Sequence, residues 1–201
     1  RFKEGCWDLH QSAEAGDLPK RLLTGELGRD EYAAFLGQMY LLARTLDDRI
    51  REHRDSVPAL EALIDDAQFQ APYLEADLAH LGVTPGSIDP LPQTGEAIRL
   101  VTEASDSDPL MLLGLHYVRE GANNGNRFIA KKLRVVLGLE DGGSAYLDPY
   151  GDAQPERWAA FKRTLDEQAF TPEQRDRLVQ AARAMFLAIM AVNDGVARTA
   201  G

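Results

Sequence analysis

The sequence predicts an all-α protein, and three observations support this fold class. Apolar residues recur three and four positions apart along most of the chain, which is the spacing of one face of an α-helix. No segment alternates apolar and polar residues for long enough to form a sheet. The 201 residues, 44% of them hydrophobic and 27% charged, fit a soluble bundle around one core. We therefore expect a single multi-helix domain over residues 1–201.

The clearest single helix lies between Glu31 and Arg54. The acids Asp30 and Glu31 stand in its first turn, where the helix dipole favours negative charge. Its apolar residues follow helical spacing, so one face of this helix is expected to be buried. That face consists of Tyr32, Phe35, Leu36, Met39, Leu42, Ala43, Leu46 and Ile50.

Shorter helical patterns account for most of the remaining chain. The last helix is predicted to begin at Pro172, because Thr171 and Gln174 form the pattern of a capping box around it. The Pro-rich stretch 84–92 is short enough for a helix–helix connection and predicts no domain boundary. The other predicted helices cover 58–66, 72–81, 95–104, 109–137 and 155–168.

An unusual run of residues stands inside the longest of these segments. Residues 121–126 read Gly-Ala-Asn-Asn-Gly-Asn, and glycine or asparagine inside a helix costs up to ~1 kcal/mol relative to alanine. A helix that keeps such residues has to kink or to let another group approach its backbone. The run therefore indicates a ligand-binding surface on this helix.

Charge and cysteine content argue against several classes of function. The chain carries 22 Lys and Arg against 32 Asp and Glu, a formal charge of −10, which disfavours binding to nucleic acid or to an anionic membrane surface. No apolar run reaches the ~18 residues of a membrane span. The single cysteine, Cys6, closes no intramolecular disulfide, so we expect a small buried side chain and a reducing compartment, the cytoplasm.

A histidine near the N-terminus is the first candidate for chemistry. Lys3, His10 and Glu14 are spaced seven and four residues apart, so they share one face of a helix. A carboxylate one turn from an imidazole can fix its tautomer, as it does for many metal-ligating histidines. Taken alone, the pair also fits an ordinary surface histidine. If His10 ligates the metal of a flat cofactor, Gly121 and Gly125 would let a helix backbone lie against the opposite face.

The whole chain resembles the heme oxygenase family, in particular its bacterial biliverdin-producing branch. The family opens with a histidine followed by Ala-Glu and a short basic helix that ends in glycine, which is similar to residues 9–14 and 20–25 here. Its distal helix carries Tyr-Val-x-Glu-Gly-Ser-Asn-Leu-Gly-Ala, which resembles residues 117–126. The positions that agree are Tyr117, Val118, Glu120, Gly121, Asn123 and Gly125.

The resemblance implies an all-α bundle in which heme is sandwiched between a proximal and a kinked distal helix. His10 would be the axial ligand of the heme iron, with Glu14 as its partner. Gly121 and Gly125 would form the distal ceiling, and Asn123 would serve a hydrogen-bonded water network. The family cleaves heme with O₂ and electrons from an external donor, a reductase or ferredoxin, and yields biliverdin, carbon monoxide and ferrous iron.

Heme carries two propionates, and a net acidic chain needs local cations to bind them. The resemblance places Lys3 and Lys162 at basic positions that the family uses for this purpose. Tyr117 of the distal motif and Arg127, which projects from the same helix, complete the predicted heme-binding set. Asp166 stands where the family often has arginine.

Departures from the motif leave two other functions open. Ala122, Asn124 and Asn126 differ from the distal residues expected, and an asparagine beside the iron would crowd or ligate it. A catalytically inactive heme-binding or heme-sensing protein is therefore the first alternative. A dinuclear-metal oxidase on the same fold is the second, although it needs several inward-facing carboxylates and histidines and the sequence has no Glu-x-x-His pair. We expect His116 to face away from the heme.

Overall fold

The computed structural model describes the backbone over residues 2–139 and 141–199, and side chains from residue 4 onward in these ranges. The described residues form nine α-helices and contain no β-strand, which confirms the predicted all-α fold class. The helices are α1 (Phe2–Glu14), α2 (Asp17–Thr24), α3 (Arg29–His53), α4 (Pro58–Leu63), α5 (Ala71–His80), α6 (Pro92–Ser107), α7 (Met111–Leu137), α8 (Gln154–Glu167) and α9 (Pro172–Thr199).

Most helix ends lie where the sequence predicts them. The capping box before α9 is formed, since the Gln174 amide donates to Thr171 Oγ1 and the Thr171 amide donates to Gln174 Oε1. Helix α6 is longer than predicted, because Pro92 occupies its first turn, where the missing N–H costs nothing. Helix α7 continues through residues 121–126, so the glycines and asparagines do not end it.

Helix α3 supplies the centre of the core, and α9 connects the core to the site. Every residue of the predicted apolar stripe of α3 is buried, and α3 packs on α5, α6, α7 and α9. Helix α9 in turn packs on α7, α6 and α1. The two helices that the sequence singles out, α1 and α7, are therefore both supported by α9.

Helix α1 lies parallel to α9 and is fixed to it by Arg183. The guanidinium of Arg183 donates to the Gly5 carbonyl oxygen at 2.7 Å and to both Asp8 carboxylate oxygens at 2.6 and 2.8 Å. This hydrogen bonding lowers the pKa of Asp8 to about 2. One turn further along, the rings of His10 and Phe186 lie 6.2 Å apart.

Helix α2 packs on α7, and α1 comes near α7 at Cys6. At one end, the Cys6 thiol is close enough to Tyr117 to contribute to its raised pKa, although burial is the larger cause. At the other end, Gly25 lies against the side chains of Lys132 and Val136. His10 is one turn past Cys6, so we infer that it is level with the part of α7 that follows Tyr117.

Candidate functional site

His10 presents an accessible imidazole. Its side chain is 47% exposed, and Nδ1 lies 3.7 Å from Glu14 Oε1, one turn along α1. The Trp7 ring stacks on the imidazole, with the ring centroids 5.4 Å apart and an interplanar angle of 11°. In the part of the chain that is described, His10 Nε2 makes no hydrogen bond, so this nitrogen is available to a ligand.

One side of α7 is built from small residues, and we call the side that carries Gly114, Tyr117, Gly121 and Gly125 its glycine face. At Gly114 an added Cβ would lie 2.5 Å from the Leu178 carbonyl oxygen of α9, so glycine is needed for packing there. At Gly125 an added Cβ would meet nothing within 4 Å. The glycine face is therefore closed against α9 at its start and open further along, at Gly125.

Aromatic residues of α8 cover the middle of the glycine face. An added Cβ at Gly121 would lie 3.3 Å from the Trp158 ring, and the Tyr117 and Trp158 ring centroids are 5.3 Å apart. The Lys162 ammonium lies 5.5 Å from the Trp158 ring centroid and is exposed. The Lys162 cation thus lies beside the ring that covers the middle of this face.

The other predicted heme-binding cations are placed differently. The side chain of Lys3 lies outside the part of the chain that the structure describes. The Arg127 guanidinium stacks on the Phe128 ring, 4.7 Å from its centroid, and Arg127 is about 120° round the helix from Gly121. Arg127 is therefore beside the glycine face, not on it.

The opposite side of α7 is polar, and we call the side that carries His116, Arg119, Glu120 and Asn123 its polar face. Asn123, predicted for the distal side, lies about 160° round the helix from Gly121 and only 1% of it is exposed. Its Nδ2 donates to Glu120 Oε2 at 3.4 Å, while its Oδ1 is buried with no hydrogen-bond partner in the described residues. The Asn123 amide thus lies on the side of α7 away from the glycine face, and its oxygen receives no hydrogen bond from the described residues.

A buried ion pair holds the polar face to the core, and it was missed by the sequence reasoning. Asp47 of α3 and Arg119 lie 2.5 Å apart and are 0% and 4% exposed. Asp47 also accepts from the Ala71 amide at 2.8 Å. Arg119 Nε donates to His116 Nδ1 at 2.9 Å, and the other ring nitrogen of His116 lies 3.2 Å from the Gln68 amide nitrogen.

This arrangement settles two residue placements. Asp47 lies in the core, because it stands three residues before Ile50 and four after Ala43 on the buried stripe. His116 faces away from the glycine face, as predicted. Its complete burial and the nearby Arg119 guanidinium hold the pKa of its imidazole well below the ordinary value, so the ring is neutral.

The unusual asparagines leave the glycine face accessible. Asn124 Nδ2 donates to the Gly121 carbonyl oxygen at 2.9 Å, so this side chain is tied to its own helix. Asn126 is half-buried. The amide of Asn124 is therefore turned toward the backbone of its own helix.

These residues fit a flat iron-containing ligand. An imidazole backed by a carboxylate is a common donor for heme iron, and His10 has one free ring nitrogen. The space over Gly125 has no side chain in it, and Lys162 supplies positive charge nearby. By contrast, no three His, Cys, Asp or Glu side chains form a metal-binding group within the described ranges. No helix there combines the length and hydropathy of a membrane span.

Comparison with known sequences identifies one family. Residues 1–194 match the family model of heme oxygenase. The heme oxygenase 1 of Nostoc sp. strain PCC 7120 is 24% identical over 191 residues, covering 92% of this chain and 80% of that protein. The heme oxygenase 1 of Homo sapiens is 21% identical over 193 residues, covering 92% and 67%.

Solved structures share the fold. Heme oxygenase-1 of Synechocystis sp. PCC 6803, in complex with heme, superposes with a TM-score of 0.89 at 19% identity, covering 100% of this chain and 94% of that one. Heme oxygenase-2 of the same organism, with heme and NO, gives 0.92 at 21% identity, covering 98% and 84%. A domain of unknown function from Shewanella denitrificans also has this fold, with a TM-score of 0.76 at 14% identity, covering 100% and 93%.

Proposed function

This chain belongs to the heme oxygenase family, and we propose that it catalyses the oxygen-dependent cleavage of heme to biliverdin, carbon monoxide and ferrous iron. The observation that carries the proposal is the open backbone at Gly125, where an added Cβ would meet no atom. We place the exposed imidazole of His10, backed by Glu14, across from this surface. A flat ligand between α1 and α7 would meet a nitrogen donor on one side and bare backbone on the other.

Each residue of the site would have a separate role in binding. His10 would ligate the iron through Nε2, and Glu14 would hold the imidazole in the tautomer that leaves Nε2 unprotonated. Lys162, with Lys3, would pair with the heme propionates, which a chain of net charge −10 would otherwise repel. Heme, when bound, supplies the redox-active iron and is itself the substrate.

The glycine face would provide a flat surface for the planar ligand. Because Gly125 has no side chain and no neighbour within 4 Å of an added Cβ, a planar ring system can lie directly against that part of α7, and water is excluded from the contact. Trp158 and Tyr117 would fix where the ring ends, since their rings cover the face beside Gly121. Electrons would come from an external protein donor, a reductase or ferredoxin.

The test is a hemin titration followed by single turnover. We expect stoichiometric binding with a Soret band, and then decay of that band into the spectrum of biliverdin with release of carbon monoxide, when ascorbate is added in air. A stable hemin complex that does not open the ring would instead favour a heme-binding or heme-sensing protein. A protein that does not bind hemin would contradict both functions.

A further inference from the structure

The orientation of the His10 imidazole depends on the groups around it. The torsion about the Cβ–Cγ bond of a histidine has a broad intrinsic preference, so contacts with the ring decide the direction of its plane. Glu14 is a loose restraint, because its Oε1 lies 3.7 Å from Nδ1 and its side chain is exposed. That distance is longer than a hydrogen bond. Other contacts are therefore needed to hold the plane of the ring.

Trp7 supplies the first of these contacts. It precedes His10 by three residues, so the two side chains are neighbours on the surface of α1. Their ring centroids are 5.4 Å apart and their planes differ by 11°, which is the geometry of an offset stack. Rotation of the imidazole about its Cβ–Cγ bond would break this parallel contact. The stack with Trp7 thus restrains the rotation that Glu14 leaves loose.

The position of Trp7 is not explained by core packing. The residue is 46% exposed, and large aromatic side chains are more often found largely buried. The indole nevertheless lies flat against an imidazole that has a nitrogen available to a ligand. The contact therefore points to a role at His10.

Phe186 of α9 supplies a second contact with the imidazole. The two ring centroids are 6.2 Å apart and the planes are 66° apart, an edge arrangement. Phe186 is held in place relative to α1, because Arg183, three residues earlier on α9, donates to Gly5 and Asp8. An imidazole that stacks on Trp7 and also meets Phe186 at this angle has one preferred orientation.

We propose that Trp7 is a positioning residue that sets the plane of the His10 imidazole for iron ligation. The proposal rests on the proposed function, in which His10 Nε2 binds the heme iron. Trp7 would act through the imidazole that it touches. The resemblance gives His10 a partner for its tautomer, Glu14, and the stack adds a separate partner for its orientation.

An imidazole that is oriented before heme arrives would have two effects on the complex. Heme binding would need less ordering of the side chain, so the affinity for hemin would be higher. The direction of the imidazole plane would also decide how the π orbitals of the ring overlap the iron d orbitals. In a low-spin ferric complex, that overlap determines how unpaired spin is shared among the heme methyl groups.

The first test uses the heme-free protein and proton NMR. The chain has four histidines, and His10→Ala assigns the His10 ring protons among them. We expect the indole ring current to displace the His10 signals, and this displacement to be lost in Trp7→Leu and largely kept in Trp7→Phe. The signals of His53 and His80 should stay in place. Unchanged His10 signals in Trp7→Leu would overturn the proposal.

The second test uses the cyanide complex of the ferric, heme-bound protein. We expect Trp7→Leu to bind hemin about two- to tenfold more weakly and to change the pattern of paramagnetic shifts of the heme methyl protons. Trp7→Phe should keep the wild-type pattern. Tyr73→Leu, an aromatic-to-leucine change on α5, should alter neither the affinity nor the pattern. A wild-type pattern in Trp7→Leu would overturn the positioning role, even if the affinity falls.

Two further measurements separate this role from folding and from the proposed function. Because Trp7 is exposed, Trp7→Leu should fold, which circular dichroism checks, and Trp7→Gln gives a second protein without the aromatic ring. Wild-type protein that ligates hemin through His10 but does not open the ring would overturn the proposed function and leave the role of Trp7 intact. A hemin complex with no iron–histidine bond would overturn both.

Discussion

The two faces of α7 differ in what surrounds them. The glycine face packs closely on α9 at Gly114, lies under the Trp158 ring at Gly121 and has open space at Gly125. The polar face carries buried charged and polar groups whose partners come from α3 and from the segments between helices. The comparison indicates how one helix can offer bare backbone to a ligand and still be held in place. The buried contacts of the polar face, together with the packing of Gly114 on α9, hold α7 in place while the surface at Gly125 stays open.

The difference also explains how α7 tolerates its unusual sequence. Glycine and asparagine weaken a helix by up to ~1 kcal/mol per residue. The run 121–126 nevertheless stays helical, because the turn before it is tied to the core by the Arg119 to Asp47 ion pair. Tertiary contacts thus compensate for poor intrinsic propensity, as they do in most protein helices.

The largest expected effect on stability comes from removing the buried ion pair of the polar face. Arg119→Met leaves the Asp47 carboxylate buried and unpaired, which should lower the free energy of unfolding by about 3–5 kcal/mol. Urea unfolding measures this. Arg99→Met removes a guanidinium whose side chain is 62% exposed and should change stability by less than about 0.5 kcal/mol. Equal effects of the two substitutions would contradict the distinction between a buried and a surface pair.

Two matched substitutions test the glycine face directly. Gly114→Ala places a methyl group against the α9 backbone and should cost about 1–3 kcal/mol. Gly125→Ala enters free space, so it should stabilise the heme-free protein by about 0.5–1 kcal/mol through helix propensity alone. The same Gly125→Ala protein should bind hemin more weakly, which a titration would measure. Unchanged hemin affinity would place the ligand elsewhere.

The neutral state of His116 predicts a pH dependence of stability. Its pKa is lower in the folded than in the unfolded protein, so the unfolded state binds the extra proton and stability falls as the pH drops below about 6.5. Between pH 7.5 and 5.5 this should lower the unfolding free energy by about 1.4 kcal/mol in wild type relative to His116→Gln. Parallel pH curves for the two proteins would show that His116 binds its proton equally well in the folded and unfolded states, which would contradict a lowered pKa in the fold.

The smallest expected change in stability is on α1. Glu14→Gln removes a pair whose side chains are 47% and 72% exposed, so stability should change by less than about 0.5 kcal/mol. The ferrous heme complex should respond more, because a less basic imidazole weakens the iron–histidine bond. Resonance Raman spectroscopy should show the iron–histidine stretching band at lower frequency. An unchanged frequency of this band would show that Glu14 does not act as the partner of His10.

The two faces also differ in how well the sequence predicts them. The glycine face, His10 with Glu14, and the capping box at Thr171 all follow from local spacing, and spacing is what a single sequence contains. The polar face depends on residues far apart in the chain, such as Asp47 and Arg119. One signal was present, since Asp47 lies on the apolar stripe of α3, where an acid needs a buried partner.

Side-chain direction could not be read from the motif. The positions of Asn123 and Arg127 in the sequence are compatible with a distal role, but the helix turns by about 100° per residue, which places both away from the glycine face. The same reasoning explains Asn124, whose amide is bound to the Gly121 carbonyl oxygen. A hydrogen bond from a side chain to its own helix competes with hydrogen bonds from that side chain to other parts of the protein or to a ligand. Which of them forms depends on the folded backbone.

The most direct test of the site compares two His–Glu pairs. His10→Ala removes the imidazole that we place on the iron, while His53→Ala removes an imidazole that lies 3.9 Å from Glu52 at the far end of α3. Iron ligation in the hemin complex is measured by electron paramagnetic and resonance Raman spectroscopy. We predict loss of the iron–histidine signature, and of biliverdin formation, in His10→Ala and neither loss in His53→Ala. An intact iron–histidine signature in His10→Ala would contradict the proposed site.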